Sequence, residues 1–277
     1  MQYILFTDNL ADLTVSEAFE RSKSIGFEGL DLTVRPGGHV LPAKAEMGLS
    51  AARMAADRHE MDIPMATTAI TDTDSPHAED VIASCAHYGI RKIKLGYWRY
   101  EPFGKIQAQI SDTKKKIERL IKLTRKYDIL PCVHVHSGDI LANGGSLLYL
   151  LLEDFSPDDI GAYADPMHMT VEGGSYGWEI GLDLITPWIS LVGIKNFHWI
   201  AGDRDERGQR TYTTQYLPLA DGQANLPRFM KRLQEIQYDG VISLHSEYKG
   251  GSSFRVLTTD ELLSQSESDL KYLRTLS

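Results

Sequence analysis

The sequence predicts an α/β fold, a single (β/α)8 barrel of the TIM type over residues 1–277, and three observations carry the prediction. Short apolar runs rich in β-branched or aromatic residues alternate with amphipathic stretches, eight times and without a break in composition. A length of 277 residues suits one such barrel. Neither GxxxxGKS/T nor GxGxxG follows the first run, which removes the usual reason to prefer a doubly wound open sheet, the structural alternative.

The elements follow in order. QYILFTD (2–8) is the first strand, and Thr14 with Glu17 three residues on caps a helix from Val15 to Ile25 that Gly26 ends. EGLDLTV (28–34) and IPMATTAI (63–70) are strands two and three, followed by helical repeats from Ala45 to His59 and from Ala78 to Tyr88. KIKLGYW (92–98) precedes a long amphipathic stretch from Ile106 to Tyr127. LPCVHVH (130–136) and IGAYAD (160–165) lead to helices at Leu147 to Glu153 and Trp178 to Thr186. SLVGIKNF (190–197) is followed by Leu226 to Ile236, and GVISLHSE (240–247) by Thr259 to Leu276, with Thr258 or Thr259 capping ahead of Asp260 and Glu261. Two long irregular stretches, 35–44 and 200–225, follow strands on the side where a barrel keeps its active site, and are expected to be functional loops.

With 29 Lys+Arg against 38 Asp+Glu, the net charge of −9 opposes binding to nucleic acid or anionic membranes, so neither is an expected partner. The basic run from Lys114 to Lys126 reads as a solvated helix face. Cys85 and Cys132 form no CxxC pair and are expected reduced and buried. The opening MQYILFTDNL lacks a basic leader, and no apolar run approaches membrane length, so a soluble cytoplasmic protein is expected. Nothing decides oligomeric state, although such barrels often form homo-oligomers.

Alternation along a strand sends residues two apart to the same side, and polar groups near the C-terminal end of a barrel strand face the mouth. This groups Asp31, Thr33 and Arg35; Lys94 and Gly96; His134 and His136; Gly193 and Lys195; and Ser243, His245 and Glu247, with Asp165 ending the sixth strand. Burying so many ionisable groups costs several kcal/mol each unless they pair, hydrate or hold an ion, so a shared polar site is expected. His134, Asp165, His168 and His245 offer nitrogen and oxygen ligands for a divalent cation, and the imidazole content favours Mn²⁺ or Zn²⁺ over Mg²⁺. Arg35 and His39 flank a Pro-Gly-Gly turn that lets backbone approach a ligand, and Tyr97, Trp98, Trp178 and Trp199 offer flat faces for a sugar ring or, equally, for helix packing.

On the segments FTDNL, AFERSKSIGFEGLDLTVRPGGHV, PCVHVHSGD, YADPMH, GIKNFHW and YDGVISLHSEY, the chain resembles the sugar phosphate isomerase/epimerase family of the xylose-isomerase-like TIM-barrel superfamily. The resemblance implies a divalent metal held by a Glu, an Asp, a His and a Glu from strands five to eight, with two carboxylates moving protons between neighbouring sugar carbons. Asp165 matches the Asp, and His168 the histidine that follows it. Three positions depart: His134 replaces the first Glu, Gly193 the His and His245 the last Glu. Glu247 and His198 stand further along and could serve from higher in the mouth, His198 by touching substrate.

Proton abstraction beside a carbonyl needs a base, a proton donor and positive charge for the enediolate oxygen. Glu247 and His136 can be base and acid, Lys94 and Lys195 can stabilise the oxyanion, and a metal would polarise substrate oxygens. An isomerase or epimerase acting on a small sugar-like substrate is therefore expected. The alternatives are a metal-dependent lyase or hydrolase, a lyase using an interior lysine as a Schiff base, and a catalytically silent sugar-binding protein.

Overall fold

A computed structural model describes residues 1–276. Eight parallel strands close a barrel: β1 (Gln2–Phe6), β2 (Gly29–Val34), β3 (Asp62–Thr68), β4 (Lys92–Lys94), β5 (Leu130–His134), β6 (Gly161–Ala164), β7 (Ile189–Ile194) and β10 (Val241–Leu244). Each neighbours the next in the chain, and β10 pairs with β1 through Gln2 to Leu5 against Val241 to Leu244. The predicted barrel is the observed one. Among the described residues no helix is long and apolar enough to cross a membrane.

The helices bury one face against the outside of the barrel, as their 3.6-residue repeats require. They are α1 (Val15–Ser24), α2 (Ala45–Arg58), α3 (Ala78–His87), α4 (Ile106–Thr124), α5 (Gly144–Leu152), α6 (Pro166–Ile185), α7 (Leu226–Glu235) and α8 (Thr259–Thr275). Thr14 with Glu17 and Thr258 with Glu261 form full capping boxes at α1 and α8, each worth about 1 kcal/mol.

Three elements differ from expectation. α6 begins at Pro166 rather than near Trp178, because Asp165 caps it through Oδ1, accepting from the amides of Met167 (2.9 Å) and His168 (3.2 Å). The Gly173-Gly174 pair reads as a helix breaker in sequence, and the helix does break there, Gly174 taking φ 60°, but helix continues on both sides. α5 likewise starts three residues early, at Gly144. Most of the segment 200–225 belongs to an antiparallel hairpin, β8 (Asn196–Arg204) and β9 (Arg210–Leu217), which closes at the turn between Asp205 and Gln209. Its outer half is solvated on both faces, which hides the two-residue apolar period that would mark it as strand.

The barrel interior is layered. Ile4, Met65, Cys132, Tyr163, Leu191 and Val241 make an apolar plug of their own. Beyond it, toward the C-terminal strand ends, the buried side chains turn polar: Asp31, Thr67, Lys94, His134, Asp165, Lys195, Ser243 and His245. That polar layer is the floor of the site.

Candidate active site

A cavity of about 310 Å³ opens at the C-terminal ends of the strands, within the size range of small-ligand sites. Arg35, Lys94, Tyr97, His134, His136, Lys195, His245 and Glu247, all expected from sequence at the mouth, line it. Asp165 and His168 stand fully buried beside His134.

Four other residues expected to touch substrate, and Trp178 with them, lie outside the cavity. Trp98 is buried in the core and donates through Nε1 to the carbonyl of Thr71 (3.0 Å). His39 joins the Pro-Gly-Gly turn to the first strand's loop, with Nδ1 3.3 Å from Thr33 Oγ1 and Nε2 3.1 Å from the Leu10 carbonyl. His198 faces Gln215 across the hairpin (2.9 Å), and Trp199 is exposed on its outer strand. Trp178 packs on Phe229 in the core.

Tyr163, which the sequence did not single out, and Tyr216, for which it offered only a subunit interface, line the cavity, and Asp31, to which it gave no role, lies beneath it. Asp31, fully buried, accepts from Thr67 Oγ1 (2.7 Å), Ser243 Oγ (3.0 Å) and Tyr163 Oη (3.2 Å). Tyr163 Oη also meets His245 Nε2 at 2.8 Å, and His245 Nδ1 lies 3.7 Å from Glu247 Oε1. Hydrogen bonds thus link the barrel floor as far as His245, and a longer contact leads from there to Glu247 on the cavity wall. Tyr216 comes from β9, whose edge is tied to the 250–254 loop by the Tyr216 amide on the Ser252 carbonyl (2.7 Å) and the Phe254 amide on the Tyr216 carbonyl (2.9 Å).

The charged groups sort into a pair and an unpaired amine. Lys195 Nζ donates to Glu247 Oε1 at 2.7 Å and lies 3.8 Å from Asp165 Oδ2. Burial works against the Lys195 ammonium, but Glu247 and Asp165 outweigh it and push its pKa above the ordinary lysine value. Burial likewise works against the Glu247 carboxylate, and Lys195 outweighs it, holding that pKa below the usual carboxylate range. The Lys94 side chain, on a residue 2 % exposed, makes no hydrogen bond or ion pair among the described residues; its Nζ sits 3.4 Å from the centre of the Tyr97 ring. Attraction of a desolvated ammonium to a ring is about 2 kcal/mol, less than the several kcal/mol that burial of an ion without a counter-charge costs. Burial therefore pushes Lys94 well below the ordinary lysine range, and Arg35 and Lys195 push it the same way against Asp31.

The imidazoles have assignable tautomers. His136 Nδ1 lies 2.8 Å from the Ser137 carbonyl, which only accepts, so Nδ1 carries the proton and Nε2 keeps a lone pair. Burial, then Lys195, lowers the His136 pKa to about 4. His168 Nδ1 accepts from the Ser137 amide (3.2 Å), so its proton sits on Nε2. Burial first, and then the neighbouring cations, hold His134 and His168 neutral.

His134, Asp165 and His168 could hold a metal ion: one ligand atom from each lies within 4.8 Å of the others. Buried polar atoms ordinarily find partners, yet His134 Nε2, Asp165 Oδ2 and His168 Nε2 have no hydrogen-bond partner among the described residues. Number and spacing fit a cation, and Asp165 fits best, since its cap bonds occupy Oδ1 and leave Oδ2 without a hydrogen bond, 3.5 Å from His134 Nε2 and 3.8 Å from Lys195 Nζ. His134 can offer Nε2 when its Nδ1 proton is directed to Tyr97 Oη, 3.1 Å away. His168 can join in its other tautomer, with the proton on Nδ1 directed to Ser137 Oγ, 2.8 Å away, and Nε2 left to offer a lone pair. His245 stands apart from this group, its Nε2 engaged by Tyr163. Nor can a seventh-strand histidine simply be restored: a Cβ on Gly193 would meet Tyr163 Cε2 at 3.0 Å and His245 Nε2 at 3.4 Å. The tyrosine ring fills the space beside Gly193.

Known structures share the whole architecture at low identity. D-psicose 3-epimerase, solved in the presence of D-fructose, matches at TM-score 0.74 and 13% identity, over 100% of this chain and 99% of that one. The 3-keto-D-glucoside 4-epimerase of E. coli matches at 0.71 and 13%, over 99% of each chain. A xylose isomerase-like barrel protein from Mycobacterium smegmatis, in complex with magnesium, matches at 0.69 and 14%, over 99% and 97%. No curated protein matches the sequence. The closed barrel and the match over residues 19–276 together establish that the chain belongs to the xylose isomerase-like TIM barrel family.

Proposed function

We propose that the protein catalyses proton transfer at a carbon next to the carbonyl of a sugar or sugar derivative, as an isomerase or epimerase working through an enediolate. The observation that carries this reading is one cavity in which a base of fixed tautomer, His136, and a carboxylate, Glu247, sit with two buried lysines. His136 Nε2 is neutral and free to take a proton, and Glu247 is ionised at neutral pH. Lys195 is a buried ammonium on the cavity wall, able to stabilise negative charge that develops on a substrate oxygen, and burial strengthens its pull. Arg35, paired with Asp8 at the rim, can turn to an anionic end such as a phosphate.

His134 and Asp165, joined by His168 in the tautomer protonated on Nδ1, would hold a divalent ion, Mn²⁺ or Zn²⁺ by the donor set, whose chemistry there is Lewis-acid polarisation of substrate oxygens. The sugar epimerases that share the fold lend support to a sugar substrate.

The reading is tested by incubating the protein, with and without added Mn²⁺ or Zn²⁺, with ketoses, aldoses and their phosphates, and separating the products. Conversion of at least one sugar is expected, with a loss of about 10²- to 10⁴-fold in Glu247→Gln or His136→Ala. No conversion across the panel, or conversion that survives both substitutions, would refute it.

A further inference from the structure

We propose that Lys94 forms a covalent imine with the substrate carbonyl, so that this barrel carries an amine electrophile-activating centre in addition to its His/Asp cluster. The inference rests on the reading above only in taking a carbonyl compound as the ligand.

Three observations converge on Lys94. It lies on β4 in the polar layer, 2 % exposed, and its side chain forms part of the cavity wall. Among the described residues that side chain has neither an ion pair nor a hydrogen bond, whereas Lys195, on the same cavity, is held at 2.7 Å by Glu247. The two lysines of one site are thus built for different protonation states: one clamped as an ammonium, the other left with a ring face 3.4 Å away and no counter-ion. A lysine that is desolvated and set near other cations is the usual arrangement for a nucleophilic amine, and Arg35 and Lys195 supply those cations. If Lys94 served only to balance charge, a carboxylate would be expected within ion-pair reach, and among the described residues none is.

The chemistry balances within the site. The Lys94 amine adds to the carbonyl carbon, the C=O π pair moves to oxygen, and that oxygen takes the proton released by nitrogen to give a carbinolamine. A second proton, from the solvent-connected cavity, lets the oxygen leave as water while the nitrogen lone pair closes a protonated C=N bond. That iminium draws electrons from the adjacent carbon, whose proton His136 or Glu247 can then remove. No external oxidant or reductant is required.

The test is reductive trapping on the whole chain after dialysis against EDTA. The protein is treated with sodium cyanoborohydride and D-fructose or dihydroxyacetone at near-neutral pH, digested, and its lysines are mapped by mass spectrometry. Lys94 is expected to gain the mass of the sugar less one oxygen atom, at about tenfold or more the occupancy of any surface lysine. Lys94→Arg is expected to lose that adduct while the surface background stays. Label spread evenly over exposed lysines, or concentrated on Lys195 with Lys94 bare, would overturn the proposal. Mapping is done on the wild-type protein, so the result is decisive even if Lys94→Arg folds poorly. Sugar conversion without a Lys94 adduct would refute the imine and leave the isomerase reading intact; an adduct without conversion would do the reverse.

Discussion

Replacing Lys195 with methionine should convert the most strongly paired part of the site into a pH-dependent liability. In the wild type, Glu247 has a folded pKa below its unfolded value, so its pairing stabilises the fold above the unfolded carboxylate value and is lost as pH falls. Lys195, raised above its unfolded value, contributes below the ordinary lysine range and is lost only in alkali. Stability from this pair is therefore level between about pH 5 and 9. Without the ammonium, Glu247 keeps the desolvation that raises its pKa, and Asp165, already raised by burial, loses its nearest lysine at 3.8 Å. Both carboxyls then prefer to be neutral in the folded state, so stability falls as pH rises through the unfolded carboxylate value. Stripping one partner from a buried pair costs about 3–5 kcal/mol at neutral pH. Near pH 4, with both groups protonated, only lost hydrogen bonding remains, about 1–3 kcal/mol. Urea unfolding from pH 4 to 8 should show the deficit of Lys195→Met growing by about 2 kcal/mol toward neutrality. A deficit that is constant with pH, or that shrinks toward neutrality, would refute the assignment of Lys195 as the counter-ion of both carboxylates.

Other predictions follow from the same geometry. Gly193→His should overpack against the Tyr163 ring and lose about 1–3 kcal/mol in urea melts, rather than creating a better metal site. Tyr163→Phe leaves Asp31 Oδ2 and His245 Nε2 each one partner short, and a loss of about 1–3 kcal/mol is expected by thermal unfolding. Because neutral His136 is the active form and its pKa is lowered to about 4, the rate should hold from neutrality down and fall only as pH drops through about 4. A rate limb near the ordinary histidine value would point to a different base.

The barrel was legible because its signals are local: eight apolar runs, capped helices and a two-residue period that put His134, Lys195, His245 and Glu247 on the inner side. Sequence and structure part where that period stops. β4 ends at Lys94, so Tyr97, and not Trp98 on the Lys94 parity, reaches the cavity. β7 ends at Ile194, and His198 answers to the pairing rules of the hairpin instead. Tyr163 shares its parity with Asp165 and could have been found that way, but an aromatic in a strand reads as packing until its hydroxyl meets Asp31 and His245. His39 and Trp98 illustrate the converse, polar-tipped rings each tied to a backbone carbonyl, Leu10 and Thr71, that no sequence pattern reveals.

Solvent exchange detects proton transfer at the carbon beside the carbonyl even when the stereochemical outcome is unknown. Proton NMR of ketoses and their phosphates in D₂O should show enzyme-dependent loss of the hydrogen next to the carbonyl, slowed by about 10²-fold or more in Glu247→Gln. Ketoses that bind the protein but retain that hydrogen would contradict the account and leave a sugar-binding barrel.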